Sequence, residues 1–425
     1  MASDNDVLKE RLKNQLKYTF SKSDFYKARM RKAGLRLRDI SAHVQLFPLT
    51  TKNDVLIDQE QYPPFGSNLC VNIDRVKRIH KTSGTTDRPV LIALTENDIK
   101  KTVEIGSLCF RRAGLKPTDI VIHCLNYSIW AGGYTDHQSL EGTGAAVIPF
   151  GIGNSKNLIA TILWIQPTAI HCTPSYLSNL EVILRQDFNL SPRDLKLKLG
   201  LFGAEPGLQN PDYRRNLEKV WGFKAMNANY GISEVISMCA SESVHQDGLF
   251  FTARKYIYPE LKSLQGNEIL PFDKGAVGEL VLTNLSKEAQ PLIRYRTNDV
   301  IKIISAKSKK GINKGFGFEV VGRSDDMIVV KGINLFIGSL EAIINKQLHI
   351  LTGAYQVLVN KSDPIDRLLI KMEIKHHSDL KKENLKQRLL DDFKTNLGVL
   401  PEIELLDADT LPRVEGKSKR LFRIL

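Results

Sequence analysis

Long apolar runs are missing from this 425-residue sequence. No stretch reaches the roughly 18 apolar residues that a membrane-spanning helix needs. Met1 to Glu10 alternates charge with single apolar residues or short apolar pairs, without the apolar centre of a secretory leader. Cysteine is scarce too. Cys70, Cys109, Cys124, Cys172 and Cys239 make five, an odd and widely spaced set with no CxxC. That pattern argues against a disulfide framework and for reduced thiols, so a soluble, cytoplasmic protein is expected. The net charge is +13, but the basic residues form no single block and no aromatic stripe interleaves them, as a single-strand binder would require. The charge reads as a lysine-rich solvated surface, with neither nucleic acid nor membrane as partner.

Standard nucleotide and hydrolase signatures are also missing. Gly416-Lys417-Ser418 ends like a Walker A loop, but Leu411 stands where that motif needs glycine. No GxGxxG is complete, and neither Ser175 nor Ser233 lies in GxSxG. The histidines and cysteines lack zinc-ribbon spacing.

What the sequence does have is a hydroxyl-rich loop, Lys81-Thr82-Ser83-Gly84-Thr85-Thr86-Asp87-Arg88-Pro89, followed by the strand-like Val90 to Leu94. Such a loop offers backbone N–H groups and hydroxyls to phosphate oxygens, and its glycine lets the backbone come close. A polar turn between two strands would have the same composition.

Around it the hydrophobic pattern alternates. Residues 6 to 33 read as helices, and Thr95 with Asp98 caps a helix running to Ala113. Ile120 to Cys124, Gly144 to Pro149 and Ala169 to Cys172 read as short buried strands, with Leu158 to Trp164 helical and Trp130 to Tyr134 a turn. Alternating strands and helices predict an α/β fold with mostly parallel sheets. Short strands from 250 to 322 predict a smaller β-rich subdomain, and Leu380 to Leu397 an amphipathic helix with Leu385, Leu389 and Phe393 on one face. The expected division is a large N-terminal domain, 1–324, and a small mobile α+β C-terminal domain, 325–425.

Seven pieces then fall in a recognisable order: TSGTT at 82–86, CTPSY at 172–176, FGAEP at 202–206, YGISE at 230–234, LIRYRTND at 292–299, GRSDDM at 322–327 and EGKSKR at 415–420. In this order the chain resembles the AMP-forming adenylating enzymes, and within them the phenylacetate–coenzyme A ligase-like family. The resemblance implies two steps on ATP, Mg2+ and coenzyme A. A carboxylate attacks the α-phosphate to give acyl-AMP and pyrophosphate, and a thiol then displaces AMP. It also implies roles. Thr82, Ser83, Gly84, Thr85 and Thr86 would hold the β- and γ-phosphates. Ala204, Glu205, Pro206 and Tyr230 would border the adenine, with Gly231 and Ser233 in the same nucleotide-binding segment. Glu234 would help hold Mg2+, a hard cation suited to carboxylate oxygens. Asp299 would accept from the ribose hydroxyls, Arg323 would contact ribose or phosphate, Asp325 would mark the hinge, and Lys417 would stabilise charge at the α-phosphate. Trp130, Gly132, Gly133, Tyr134, Phe150 and Tyr176 would shape the acid pocket, a flat slot suited to an aryl or arylacetic acid. Taken residue by residue, Tyr230, Trp130 and Phe150 are equally readable as core aromatics, Glu234 as a solvated acid, Asp325 as a cap, and Lys417, with Lys419 beside it, as tail charge.

Three departures stand out. Asp87 replaces the last glycine of the loop, where a carboxylate about 6 Å from a phosphate costs about 2–3 kcal/mol at an effective dielectric of about 20; Arg88 offsets part of it. Asn298 replaces the glycine before Asp299, and asparagine tolerates the left-handed backbone. Cys239 and His245 have the spacing that begins a zinc site in some relatives, but no second cysteine pair follows, so no zinc is expected. Other acceptors stay open: a carrier-protein thiol, an amine, or transfer of AMP to a deazaflavin-type coenzyme. So do a homodimer and a non-catalytic binding protein on the same fold.

Overall fold

A computed structural model describes residues 4–42, 44–82, 89–205, 207–305, 315–325, 327–330, 333–348, 350–361, 365, 367–375, 382–411 and 420–424. Its centre is a twelve-stranded mixed sheet. Five strands run parallel, in the spatial order Lys224–Ile232, Leu199–Gly203, Ala169–Cys172, Ile120–His123, Ala146–Pro149. Three of these are the short apolar runs of the sequence; Ala169–Cys172 is buried throughout, as a central parallel strand must be, while Ala146–Pro149 is a partly exposed edge. Helices Glu96–Arg112, Ala131–Glu141, Ser155–Ile165, Pro174–Asp187 and Pro211–Trp221 accompany them. The first is started by the expected capping box, Thr95 with Asp98.

Lys224–Ile232 is the joint of the sheet. On its far side it pairs antiparallel with Ile236–Ser241, and antiparallel strands continue outward. The β-rich stretch from 250 to 322 thus extends the same sheet. Gly231 permits the hairpin at the joint, because a Cβ there would lie 1.9 Å from the Ser237 carbonyl oxygen. Arg78–Lys81 and Leu91–Leu94 form a separate two-stranded ribbon. Thr82 N–H donates to Val90 O at 3.0 Å and Val90 N–H to Thr82 Oγ1 at 3.1 Å, closing the neck of the hydroxyl-rich loop.

The C-terminal region has its own four-stranded sheet, in the order Glu402–Leu406, Leu368–Ile374, Leu351–Val359, Leu421–Arg423. Leu385, Leu389 and Phe393 face it from helix Lys382–Leu397, as their spacing predicts. Its apolar core runs from Ile328 to Ile403 and shares no residue with the other cores. Where the two regions meet, the Phe336 side chain packs on Gly322, leaving no room for a Cβ, which would come within 2.7 Å. Among the described residues no helix is long and apolar enough to cross a membrane.

Candidate active site

Two groups of side chains gather at the carboxyl-end side of the parallel strands and the neighbouring antiparallel ones, where ligands bind in open α/β sheets. The first surrounds Glu234. Its carboxylate accepts from the Tyr295 hydroxyl and lies 3.4 Å from Lys52 Nζ, with only a tenth of the side chain exposed. Lys52 also donates to Thr82 Oγ1 at 3.3 Å. One ammonium therefore joins the first residue of the phosphate-loop motif to the proposed metal ligand. Behind them Lys287 is buried, its Nζ donating to Glu234 O at 2.6 Å and Val235 O at 3.4 Å. Burial draws its pKa down to about 8.

The second group is a chain of polar contacts along the antiparallel side. Tyr230 Oη donates to Asp299 Oδ2 at 2.7 Å, and Arg323 Nη1 to Asp299 Oδ1 at 3.1 Å. Arg323 then grips Asp325 with two bonds, Nε to Oδ1 at 2.9 Å and Nη2 to Oδ2 at 2.7 Å. Asn298 Nδ2 donates to the same Asp325 Oδ2 at 3.1 Å. Burial first, and the Asp299 charge second, hold the Tyr230 hydroxyl well above its ordinary pKa, so it is a donor here. Asn298 has φ +61°, the left-handed backbone expected of it. Ala204 is left-handed as well, φ +66°, and Glu205 Oε2 accepts from Ser175 N–H at 3.4 Å. In the C-terminal region burial pushes the Glu341 carboxyl up, with the Glu205 charge adding to it and Arg420 opposing.

The residues expected to shape the acid pocket follow three parallel strands. Trp130 to Tyr134 is not a free turn. Trp130 is the N-cap of helix Ala131–Glu141, and Gly132, Gly133 and Tyr134 are in its first turn. The glycine pair fits a turn by composition, but Gly133 sits in a helix because its bare Cα packs on the Asn126 carbonyl, 1.9 Å from where a Cβ would be. Trp130 lies under the Lys81 ammonium at 4.8 Å, and Tyr134 under the Arg78 guanidinium at 4.5 Å. Tyr176 shares a hydrogen bond with Ser155 at 2.9 Å, and Phe150 packs half-buried against the same apolar core. Gly231 and Ser233 lie in and just after the Tyr230 strand end. Cys239 is fully buried in a core strand, while His245 is exposed in the turn beyond it. Ser83, Gly84, Thr85, Thr86, Asp87, Arg88, Pro206, Gly416, Lys417 and Lys419 lie outside the described residues.

Sequence reasoning missed Lys52, Tyr295 and Lys287. The only local signal for Lys52 was its place just after Thr51, the N-cap of helix Lys52–Gln61.

The profile of the AMP-binding enzyme C-terminal domain matches residues 332–423. Phenylacetate-coenzyme A ligase of Pseudomonas putida is 32% identical over 423 residues, covering 97% of this chain and 92% of that protein. The Escherichia coli (strain K12) enzyme of the same name is also 32% identical, over 97% and 93% of the two chains. Among solved structures, 2-hydroxyisobutyryl-CoA ligase in its postadenylation state superposes with a TM-score of 0.86 at 23% identity, over 99% of this chain and 89% of that one. The same ligase in its thioesterification state gives 0.70 at 24% identity, over 100% and 90%. The chain therefore belongs to the phenylacetate–coenzyme A ligase family of AMP-forming acid–coenzyme A ligases.

Proposed function

We propose that the acid this ligase activates is aromatic, aryl or arylacetic, and that the aromatic-and-glycine frame of Trp130, Gly132, Gly133, Tyr134 and Tyr176 receives it. The observation that carries this reading is the placement of that frame at the carboxyl ends of the parallel strands, beside Lys81 and Thr82. The names of the relatives agree with it. Phosphoryl transfer needs chiefly positioning and charge stabilisation, and the residues divide that work. Thr82 opens the loop that takes the β- and γ-phosphates, and Lys52 supplies a cation next to it. The Thr82 hydroxyl and the Glu234 carboxylate are hard oxygen donors that reach the same ammonium, which fits a site for Mg2+ with phosphate oxygens. When bound, Mg2+ would neutralise part of the triphosphate charge. Lys287 and Tyr295 hold Glu234 from its backbone and its carboxylate. Tyr230 and Arg323 fix Asp299 to accept from the ribose hydroxyls, and Glu205 borders the adenine with Ala204 and Pro206.

Residues 1–324 and 325–425 act as two units in this reading, with Asp325 at the hinge. The separate C-terminal core supports the division. The influence of the Glu205 charge on Glu341 supports an arrangement in which the C-terminal unit leans over the nucleotide side. Lys417 would reach the α-phosphate from that unit.

ATP–pyrophosphate exchange across aryl, arylacetic and fatty acids tests the substrate class. Exchange with a fatty acid and none with any aromatic acid would overturn it.

A further inference from the structure

Under the first turn of helix Ala131–Glu141 lies a run of buried polar side chains that the adenylation chemistry does not use. His123 Nε2 is 2.8 Å from Gly133 O, His123 Nδ1 is 2.8 Å from His171 Nδ1, and His171 Nε2 faces Asp136 Oδ2 at 3.9 Å. Asn229 Nδ2 donates to that same Oδ2 at 2.5 Å. His123, His171 and Asp136 are all 0% exposed.

The proton positions follow from what each atom can do. A carbonyl oxygen only accepts, so His123 Nε2 carries hydrogen. The two imidazole rings are within 10° of parallel with centroids 4.9 Å apart, an edge-to-edge arrangement in which an in-plane N–H meets an in-plane lone pair. Only one hydrogen fits between the two Nδ1 atoms. With His123 neutral it belongs to His171, and His171 Nε2 is left as an acceptor. That nitrogen has no described hydrogen-bond partner, and neither has Asp136 Oδ1. An ionised Asp136 would hold its charge in this dry site on one amide donor, and separating it from a protonated histidine would leave two buried ions, each costing several kcal/mol. A protonated Asp136 instead supplies the hydrogen that His171 Nε2 lacks. Burial acts the same way on every member: it lowers His123 to about 4, lowers His171 well below its ordinary value and raises the Asp136 carboxyl well above its own. The gap of 3.9 Å is longer than a hydrogen bond, and a carboxyl rotation closes it.

The neighbours leave the ordering intact. The Phe110 ring meets His171 edge-on at 5.1 Å, Tyr127 meets His123 at 5.2 Å, and His137 stands 6.3 Å from His123. Cys109 is near Asp136 and its thiol is pushed up to about 11 by burial, so it is uncharged.

We propose that His123, His171 and Asp136 form a proton-ordered, uncharged relay that ties the first turn of helix Ala131–Glu141 to the strand bearing Asn229 and Tyr230, and that these three positioning residues set the acid subsite. The proposal rests on reading Trp130 to Tyr134 as that subsite. Gly133 is one end of the relay, two residues into the helix. The other end is Asn229, the neighbour of Tyr230. Gly133 cannot shift far toward the loop, because its backbone already touches Asn126, so losing the His123 bond frees it in the opposite direction, into the pocket.

Asp136→Asn separates the charge states. Its amide donates to His171 Nε2 while its oxygen accepts from Asn229, so an uncharged relay is preserved. The variant should keep the KM for the acid within about twofold and the parent melting temperature or a higher one. A tenfold rise in that KM with a lower melting temperature would mean an ionised Asp136 and would overturn the proposal. Nitrogen-15 spectra of histidine-labelled enzyme give a reading that needs no substitution. His123 should appear as the Nε2–H and His171 as the Nδ1–H tautomer, both unchanged between pH 7 and pH 5.5. Any other pattern overturns the ordering. His123→Leu should raise the KM for the acid at least tenfold and leave that for ATP within about twofold. If the spectra are as expected but only the ATP constant moves, the relay stands and the placement of the acid subsite is wrong.

Discussion

Lys52 and Glu234 form an ion pair of 3.4 Å at the threshold of the phosphate loop. Neither residue is placed there by its own segment alone. Lys52 begins a helix near the N-terminus, and Glu234 ends the hairpin at the joint of the main sheet. Lys52→Met keeps the length of the side chain and removes its charge. A unit charge about 6 Å from a phosphate is worth about 2–3 kcal/mol at an effective dielectric of about 20. The expected result is a fall of about 30- to 150-fold in kcat/KM for ATP in pyrophosphate exchange, with the KM for the acid nearly unchanged. Unaltered ATP kinetics would reduce the pair to a structural contact.

Lys287 acts one step behind. Its folded pKa of about 8 lies below the ordinary lysine value of 10.5, so between these pH values the unfolded chain binds more protons and stability rises with pH. Below about pH 8 the full burial penalty is present; above about 10.5 it is gone. Lys287→Met removes a titrating group, so the parent should gain stability relative to the variant from pH 8 to pH 10 in urea unfolding. The variant should also need several-fold more Mg2+ for half-maximal exchange, because the backbone of Glu234 loses its donor. A flat stability difference across that range would mean that Lys287 titrates normally.

Lys417 tests the division of labour between the two units. Removing one preorganised donor at a developing charge typically costs about 10²–10³ in rate, and a full charge more. Lys417→Ala should nearly abolish pyrophosphate exchange, yet convert supplied acyl-adenylate and coenzyme A to thioester near the parent rate. Equal loss in both half-reactions would assign the residue to folding or general binding.

Asp87 is an acid in the loop proposed to receive the triphosphate. Asp87→Gly should lower the KM for ATP several-fold and leave that for the acid in place. Weaker ATP binding in the variant would give Asp87 a positive role.

Much of the frame was legible in the sequence because its signals are local. The capping box at Thr95 and Asp98 started its helix where expected, the buried strands announced themselves as short apolar runs, and Asn298 took the left-handed backbone its residue type permits. Asp299, Tyr230 and Arg323, drawn from three separate motifs, lie in hydrogen-bonding contact. The misses have a common physical origin. Lys52 and Lys287 gain their meaning only from contacts that the tertiary fold creates, and a lone lysine carries no periodic signature. His123 and His171 sat inside apolar runs, and only the parallel pairing of their strands sets the rings edge to edge. Trp130 to Tyr134 looked like a turn because two adjacent glycines usually break helices; close backbone packing at Gly133 reversed that reading.

The strand Lys224–Ile232 is parallel to one neighbour and antiparallel to the other. The frame proposed for the acid stands on helix starts on its parallel side, whereas Asp299 and Arg323 sit on strands of its antiparallel side. One shared seam therefore parts the proposed acid frame from the cluster of Asp299, Arg323 and Asp325. Changes in acid preference on one flank need not disturb that cluster on the other.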